Sequence, residues 1–413
     1  MQAHIHAARA LRAAAVLLVA VTGCGKEAAG PGLEPPRNLT VDEQTVSAAN
    51  TAFGLGLLRE LHPAETKPNL FVSPLSASMA LGMTLNGARA ETETAMRRAL
   101  GFEGLSAAGI NAAYGGLIAQ LRARDPGVEF RLANSIWHER TFTVEAPFLE
   151  AARTHFDAEV RGLDFSAPDA PRIISGWAED ATGGRIKDLI QSIDPLEKLF
   201  LVNAVYFKAP WTTPFEPAAT RDGPFQRAGG GTVQVPLMTT DATFRSFRDA
   251  DVEAVELLYA DSAFSMVVLM PAQGRTLDGL VASLTPERWA RWMDAFTPGR
   301  LMLTLPKFRF DYARRLNDAL TGLGMGIAFV PRRADFSGIS RERDDLYISR
   351  VEHKTFVDVH ELGTEAAAAT AVGIGVTSLP PSLRFDRPFL FAIRERSTGT
   401  ILFLGRIGDP SVR

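Results

Sequence analysis

The chain has 413 residues, 46% of them hydrophobic and 22% charged, with a formal net charge of −3. Its arginine pairs, Arg314-Arg315 and Arg332-Arg333, are short and set among acidic residues, which excludes the basic stripe of a nucleic-acid-binding surface. Beyond a leader and tether, roughly 370 residues remain, enough for a large core, and no later run reaches the ~18 uninterrupted apolar residues of a spanning helix.

The leader comes first. Arg9 and Arg12 supply positive charge, Ala13 to Val21 a short apolar run, and Val21-Thr-Gly-Cys24 small residues before a cysteine. Residues 1–23 are expected to be a signal peptide, too short to span a membrane and removed on export. The ending resembles a bacterial lipobox, which implies cleavage before Cys24 and lipid attached to it. The protein is then expected to be exported and anchored to a bacterial membrane, periplasmic or at the cell surface. Cys24 is the only cysteine, so the mature domain has no internal disulfide and depends on core burial. Residues 24–42, with Pro31-Gly32 and Pro35-Pro36, read as a flexible tether. No linker interrupts the rest of the chain, and residues 43–413 are expected to be a single domain.

Along that domain, Val46, Ala49, Phe53, Leu57 and Leu61 recur at helical spacing and predict a helix from about Val41 to His62-Pro63. Ser73-Pro74 opens a second helix, with Ser73 as cap and Pro74 in the first turn. Ala90 to Leu100 is a third, its acids early and its arginines late, and Asn111 to Arg122 a fourth. Phe130 to Trp137 has strand character. Leu199 to Phe207 is nearly all apolar, as in a strand covered on both faces, with Asn203 as its exception. Further strands are expected at Phe264 to Met270, Leu301 to Phe310, Phe389 to Ile393 and Ile401 to Leu404, and further helices at Pro286 to Phe296 and Ala313 to Leu323. Helices early and strands late indicate an α+β fold with large sheets.

Enzyme signatures are missing. His138-Glu139 and His360-Glu361 lack the second histidine of a zinc helix, and no Gly-x-Ser-x-Gly elbow occurs. Scattered histidines without cysteine partners argue against a metal. Gly322-Leu-Gly-Met-Gly326 comes after a helical pattern, so it reads as helix termination rather than a phosphate loop. Three polar sites in apolar surroundings need partners: Ser73 with Ser76, Asn203, and His353. Left unpaired, each buried group costs on the order of 1–3 kcal/mol.

Residues 361–381 carry two conflicting patterns. Glu365 followed by Ala366, Ala367, Ala368 and Ala369 favours helix. Yet the even positions read Thr364, Ala366, Ala368, Thr370, Val372, Ile374, Val376, small and then β-branched, whereas the odd ones are small or charged. That is the period of a strand with one buried face. Pro380-Pro381 ends it. Such a segment is suited to exist both as an exposed loop and as an inserted strand.

Asn69-Leu-Phe-Val-Ser-Pro-Leu-Ser76, Ala181-Thr-Gly-Gly-Arg-Ile-Lys187, Leu201-Val-Asn-Ala-Val-Tyr-Phe-Lys-Ala-Pro-Trp211, Leu305-Pro-Lys-Phe308, His353-Lys354, the stretch from Glu361 to Thr370, and Asp386-Arg-Pro-Phe-Leu-Phe391 occur in this order. Together they resemble the serpin family over essentially everything after the tether; Leu362 departs from the polar residue usual there. The resemblance implies a serpin fold, with mixed large β-sheets, about eight or nine helices and an exposed reactive-centre loop. It implies a monomeric inhibitor of serine proteases, not an enzyme, with neither cofactor nor metal. Its partner is a protease held as a covalent acyl complex. The reactive bond maps to Thr377-Ser378 and the hinge to Glu361, Gly363, Thr364, Glu365, Ala366, Ala367, Ala368, Ala369 and Thr370. Ser73, Ser76, Asn203 and His353 match the polar cluster beneath the opening of the main sheet. From Thr370 to Leu383 there is no charged or aromatic residue, which disfavours proteases with an acidic specificity pocket and favours elastase-like or subtilisin-like targets. The alternatives are a noninhibitory serpin-fold binding protein and an inhibitor of papain-like cysteine proteases.

Overall fold

A capping box starts the folded chain. Thr40 Oγ1 accepts from the Glu43 amide (3.2 Å) and Glu43 Oε2 accepts from the Thr40 amide (2.8 Å), satisfying two orphan donors of α1, Val41–Ala64. The structure, a computed structural model, describes residues 37–141, 143–194, 197–341, 345–365 and 380–413, without the side chain of Asn203. The leader, Cys24, the tether as far as residue 36, hinge residues 366–370 and the Thr377-Ser378 bond lie outside the described residues.

After α1 the chain runs β1 (Leu70–Val72), α2 (Pro74–Leu85), α3 (Ala90–Leu100), α4 (Ala107–Ala123), β2 (Glu129–Glu139), α5 (Ala146–Phe156), β3 (Ala158–Leu163), α6 (Ala170–Ala181) and β4 (Leu199–Pro210). Next are four strands, β5 (Arg221–Gln226), β6 (Thr232–Arg248), β7 (Val252–Tyr259) and β8 (Phe264–Pro271). Then come α7 (Leu277–Ala282), α8 (Pro286–Ala295), β9 (Thr297–Pro306), β10 (Phe308–Arg315) and the short α9 (Asn317–Leu320). The last strands are β11 (Glu352–His360), β12 (Gly363–Thr364), β13 (Ser382–Arg384), β14 (Phe389–Glu395) and β15 (Ile401–Ile407). This is the expected α+β class.

Two sheets organise these elements. One has nine strands in the order β1-β15-β14-β8-β7-β6-β9-β13, with β5 on β6; the other has six, in the order β10-β11-β12-β4-β2-β3. Every residue of β8, β14 and β15 is buried, as expected for strands covered on both faces. Between the sheets, Phe71 stacks on Phe403 (ring centroids 4.9 Å apart) and on Phe391 (5.4 Å). Gly405, opposite both Phe71 and Phe391 in the ladders, leaves room for that stack.

Two expectations are corrected. Leu301 to Phe310 is not one strand: it divides at Lys307, so that β9 joins the larger sheet and β10 the smaller. The Lys307 amide donates to Pro236 O (2.9 Å) at the crossing. Nor does a helix begin at Ala313. Ala313, Arg314 and Arg315 pair with Lys354, His353 and Glu352 of β11, and only Asn317 onward is helical, because ladder pairing overrides a weak local preference. The fourth helix starts at Ala107, four residues before its expected start, where Ser106 Oγ caps the Gly109 amide (2.9 Å).

A methyl group at Gly405 would meet Phe391 Cε1 at 2.4 Å and Leu70 O at 2.8 Å. Gly405→Ala is therefore expected to lower unfolding stability by about 1–3 kcal/mol through overpacking. Denaturant unfolding checks this, and an unchanged midpoint would contradict it.

Candidate functional site: the hinge and the seam of the six-stranded sheet

The seam lies between β4 and β11, which run parallel because both are antiparallel to the two-residue β12 between them. At one end Thr364 pairs with Val359 and Ala209, and Gly363 with His360 and Pro210. Eight residues back along both strands, Leu201 and Val351 form a single direct bridge. Over the interval, roughly 26 Å at 3.3 Å per residue, β4 and β11 share no ladder among the described residues.

The upper end is held by named side chains. Gly363 takes φ +149°, a conformation open to glycine. Thr364 is buried, and its Oγ1 lies 2.7 Å from Tyr259 Oη. Tyr259 stacks on Trp211 (centroids 4.4 Å, 15° between planes). Trp211 Nε1 donates to His360 O (2.9 Å) and the Trp211 amide to Leu362 O (2.9 Å). Just before β12, the Glu361 carboxylate accepts from Lys307 Nζ (2.8 Å) and Thr220 Oγ1 (2.8 Å). Burial pushes its pKa up, but these donors outweigh that and hold it below the ordinary value.

Just after β12, Glu365 Oε2 accepts from Tyr206 Oη (2.6 Å) and Arg185 Nε (3.0 Å). The Glu365 backbone sits at φ +53°, uncommon for a residue with a side chain, so these contacts and its amide bond to Asp358 O (3.1 Å) hold a turned-out conformation. Burial, and then the adjacent Glu365 carboxylate, raise the pKa of Tyr206 and keep its phenol protonated as the donor. Arg185, Lys307 and Tyr206 lie within the sequence motifs, although the motif assigned Tyr206 no role. Tyr259 lies outside them and carried no signal beyond being a hydroxyl in an apolar strand.

His353 stands six residues before Val359 and Asn203 six before Ala209, so the two strands carry them at one level of the seam. His353 Nε2 accepts from the Ser73 amide (3.0 Å), which requires a neutral imidazole with its proton on Nδ1. Burial lowers its pKa to about 4. Ser73 Oγ donates to Leu402 O (2.6 Å) and accepts from the Ser76 amide (3.2 Å), fulfilling the expected cap of α2. Nearby, Thr355 Oγ1 donates to Phe71 O (2.6 Å). Ser73, Ser76 and His353 therefore come together, tying α2 and β15 to β11. For Asn203 only the backbone, paired with Asn134, is described.

With this geometry in place, comparison with known proteins decides the family. The family described as "Serpin (serine protease inhibitor)" matches residues 48–410. The chain belongs to the serpin family. Leukocyte elastase inhibitor of Bos taurus is 35% identical over 381 residues, covering 89% of this chain and all of that protein. An uncharacterised serpin-like protein of Thermococcus kodakarensis is 36% identical over 379 residues, 89% of this chain and 86% of that one. The crystal structure of the thermophilic serpin tengpin in its native state superposes with a TM-score of 0.83 at 30% identity, covering 91% of this chain and 96% of tengpin. The family is described as one of serine protease inhibitors, with noninhibitory members among it, and the fold here is the serpin fold.

His353 titrates near 4 in the folded serpin and near 6.5 once unfolded. The unfolded chain takes up the proton first, so the contribution is complete above about 6.5 and is lost as pH falls toward 4, about 3 kcal/mol in all. The stability difference between wild type and His353→Gln in urea is expected to shrink from pH 7 to pH 4.5. An equal difference at both pH values would contradict the assignment.

Proposed function

We propose that this serpin inhibits serine proteases as a suicide substrate, cleaved between Thr377 and Ser378, and that the freed segment inserts between β4 and β11. The observation that carries the reading is Thr364: the first even-numbered hinge residue is already paired into the seam with its side chain buried. Continuing that pairing after cleavage opposes Ala366 to Val357 and Phe207, Ala368 to Thr355 and Val205, and Thr370 to His353 and Asn203. Val372 then reaches the level of Val351 and Leu201. Val357, Thr355, His353 and Val351 are all buried, so the even positions enter on the core face and the odd positions on the outer one.

The chemistry of the step is the protease's own. Its serine oxygen bonds to the Thr377 carbonyl carbon, the bond to the Ser378 nitrogen breaks, and that nitrogen leaves as an amine carrying a proton. The ester left on Thr377 is hydrolysed unless insertion is faster. The small side chains of residues 366–369 favour speed, since a charge there would be desolvated on the way in. Val372, Ile374 and Val376 favour completion, each gaining roughly 1.5–3 kcal/mol on burial. Some fourteen residues from Thr364 to Thr377 extend over roughly 46 Å, enough to carry the protease along the sheet. For Val372 to enter, the strand has to part the Leu201–Val351 bridge, and beyond it to pass the buried Arg350, whose Nε lies 3.0 Å from Glu197 Oε1.

Val376-Thr377 suits the small apolar pockets of elastase-like or subtilisin-like enzymes, and the 35% identity to leukocyte elastase inhibitor supports that choice. The same proposal has residues 1–23 removed and lipid on Cys24 holding the inhibitor at a bacterial membrane, opposite proteases of its exterior or periplasm.

Incubation with an elastase-like protease is expected to yield a complex that survives denaturing electrophoresis, and a released C-terminal peptide beginning at Ser378. Clean cleavage without a complex would overturn inhibition and favour a noninhibitory family member. A peptide beginning elsewhere would overturn the assigned bond.

A further inference from the structure

Arg350 comes one residue before Val351, and Phe200 one residue before Leu201. The Leu201–Val351 bridge therefore sets these two residues at one level, on opposite sides of the seam. The Arg350 guanidinium lies over the Phe200 ring, 4.6 Å from its centroid. It also reaches the residues that lead into β4. Its Nε lies 3.0 Å from Glu197 Oε1, and its Nη2 donates to Glu197 Oε2 (3.0 Å) and to Ser192 O (2.7 Å). Glu197 is held in turn: its Oε2 accepts from the Asp194 amide (2.9 Å) and its own amide donates to Asp194 O (2.8 Å). The carboxylate of Glu352, on the Arg350 side of the seam, is farther off at 3.7 Å and is shared with Arg315.

The pair is sheltered, with the guanidinium 10% exposed and the carboxylate 13%. Two-pronged Arg–carboxylate pairs are among the stronger side-chain contacts, and parting a buried one without replacement is costly. Its place along the seam gives it a task. Above the Leu201–Val351 bridge, the two sides share no ladder that an entering strand would have to part, among the described residues. At the bridge and below it, the strand meets Arg350. Neighbouring strands lie about 4.8 Å apart, so a strand placed between the two sides moves them to roughly 10 Å. The ion pair at 3.0 Å and the ring contact at 4.6 Å are made at the narrower spacing and part at the wider one.

We propose that Arg350 and Glu197 form a clasp that divides insertion into two parts: an upper part open to the hinge, and a lower part that opens only when the clasp is parted. The clasp keeps the uncut chain from completing insertion, and a cut strand completes it by parting the pair. Arg350 acts through the spacing of the two strands and is a positioning residue. The inference rests on the insertion reading given above.

The test uses the full chain and the variants Glu197→Gln, Arg350→Met and the two combined. The first readout is the rate at which the uncut monomer, on warming, becomes resistant to cleavage in the reactive loop. Each single variant is expected to convert at least about tenfold faster than wild type. The double variant is expected to stay within about twofold of the faster single, because one clasp is broken only once. Arg350→Lys, which keeps the charge but not the fork, is expected to fall between wild type and Arg350→Met. The second readout is the guanidinium unfolding midpoint before and after the loop is cut. The variants are expected to lower the midpoint of the uncut chain and to leave that of the cut chain, whose seam is filled, at the wild-type value. Unchanged conversion in both single variants, or an equal loss of midpoint in cut and uncut chains, would overturn the clasp and leave insertion standing. A cut wild-type chain no more stable than the uncut one would overturn insertion itself, and the clasp with it.

Discussion

Everything in this serpin turns on two parallel strands that are kept close without being fully hydrogen-bonded to each other. Among the described residues, β4 meets this side of the seam directly only at Leu201–Val351, just before β11, and at the far end β4 and β11 are bridged by Gly363 and Thr364. A parallel pair left unladdered over such a distance forgoes the backbone pairing that sheets normally complete. The sheet can therefore gain by accepting another strand. The surrounding structure restrains that gain: β2 and β3 flank one side of β4, β10 flanks β11, and α2 and β15 are tied to β11 through Ser73 and His353.

The hinge is poised by two carboxylates with different tasks. Glu361, held by Lys307 and Thr220, fixes the point where the chain leaves β11. Glu365, held by Arg185 and Tyr206 beyond a positive-φ backbone, turns the chain outward after only two strand residues. The Glu365–Arg185 pair is mixed, with the carboxylate 5% exposed and the guanidinium 44%. Its Coulombic strength is thus screened, and the Tyr206 bond at 2.6 Å supplies the more rigid half of the hold. Insertion past Thr364 has to break both. In the proposed mechanism such a restraint defines the resting state and yields once the loop is cut.

Much of this could be read from the sequence, for identifiable reasons. Ser73-Pro74 carried both a cap and a first-turn proline, and the cap is present. The alternation from Thr364 to Val376 required a buried even face, and Thr364, the described member of that set, is buried between Val359 and Ala209. His353 stood out as a polar group in apolar company and proved to accept a backbone amide from Ser73. What escaped was long-range. Nothing local marks Lys307 as the residue where a continuous apolar run changes sheets, because the division is set by partners in β6 and β11. Ala313 to Arg315 read as helix for the same reason. Tyr206 and Tyr259 looked like ordinary strand residues, since their roles depend on Glu365 and Thr364 more than a hundred positions away in the chain.

The central claim is that the register begun at Thr364 continues through the hinge, with even positions inward and odd positions outward. The most direct measurement compares Ala368→Glu with Ala367→Glu for complex formation against one elastase-like protease. The account predicts that Ala368→Glu is cleaved but no longer traps the protease, because its charge must enter the core beside Thr355 and Val205. Ala367→Glu, whose charge stays on the outer face, retains the covalent complex. Equal trapping by both variants, or loss confined to Ala367→Glu, would contradict it.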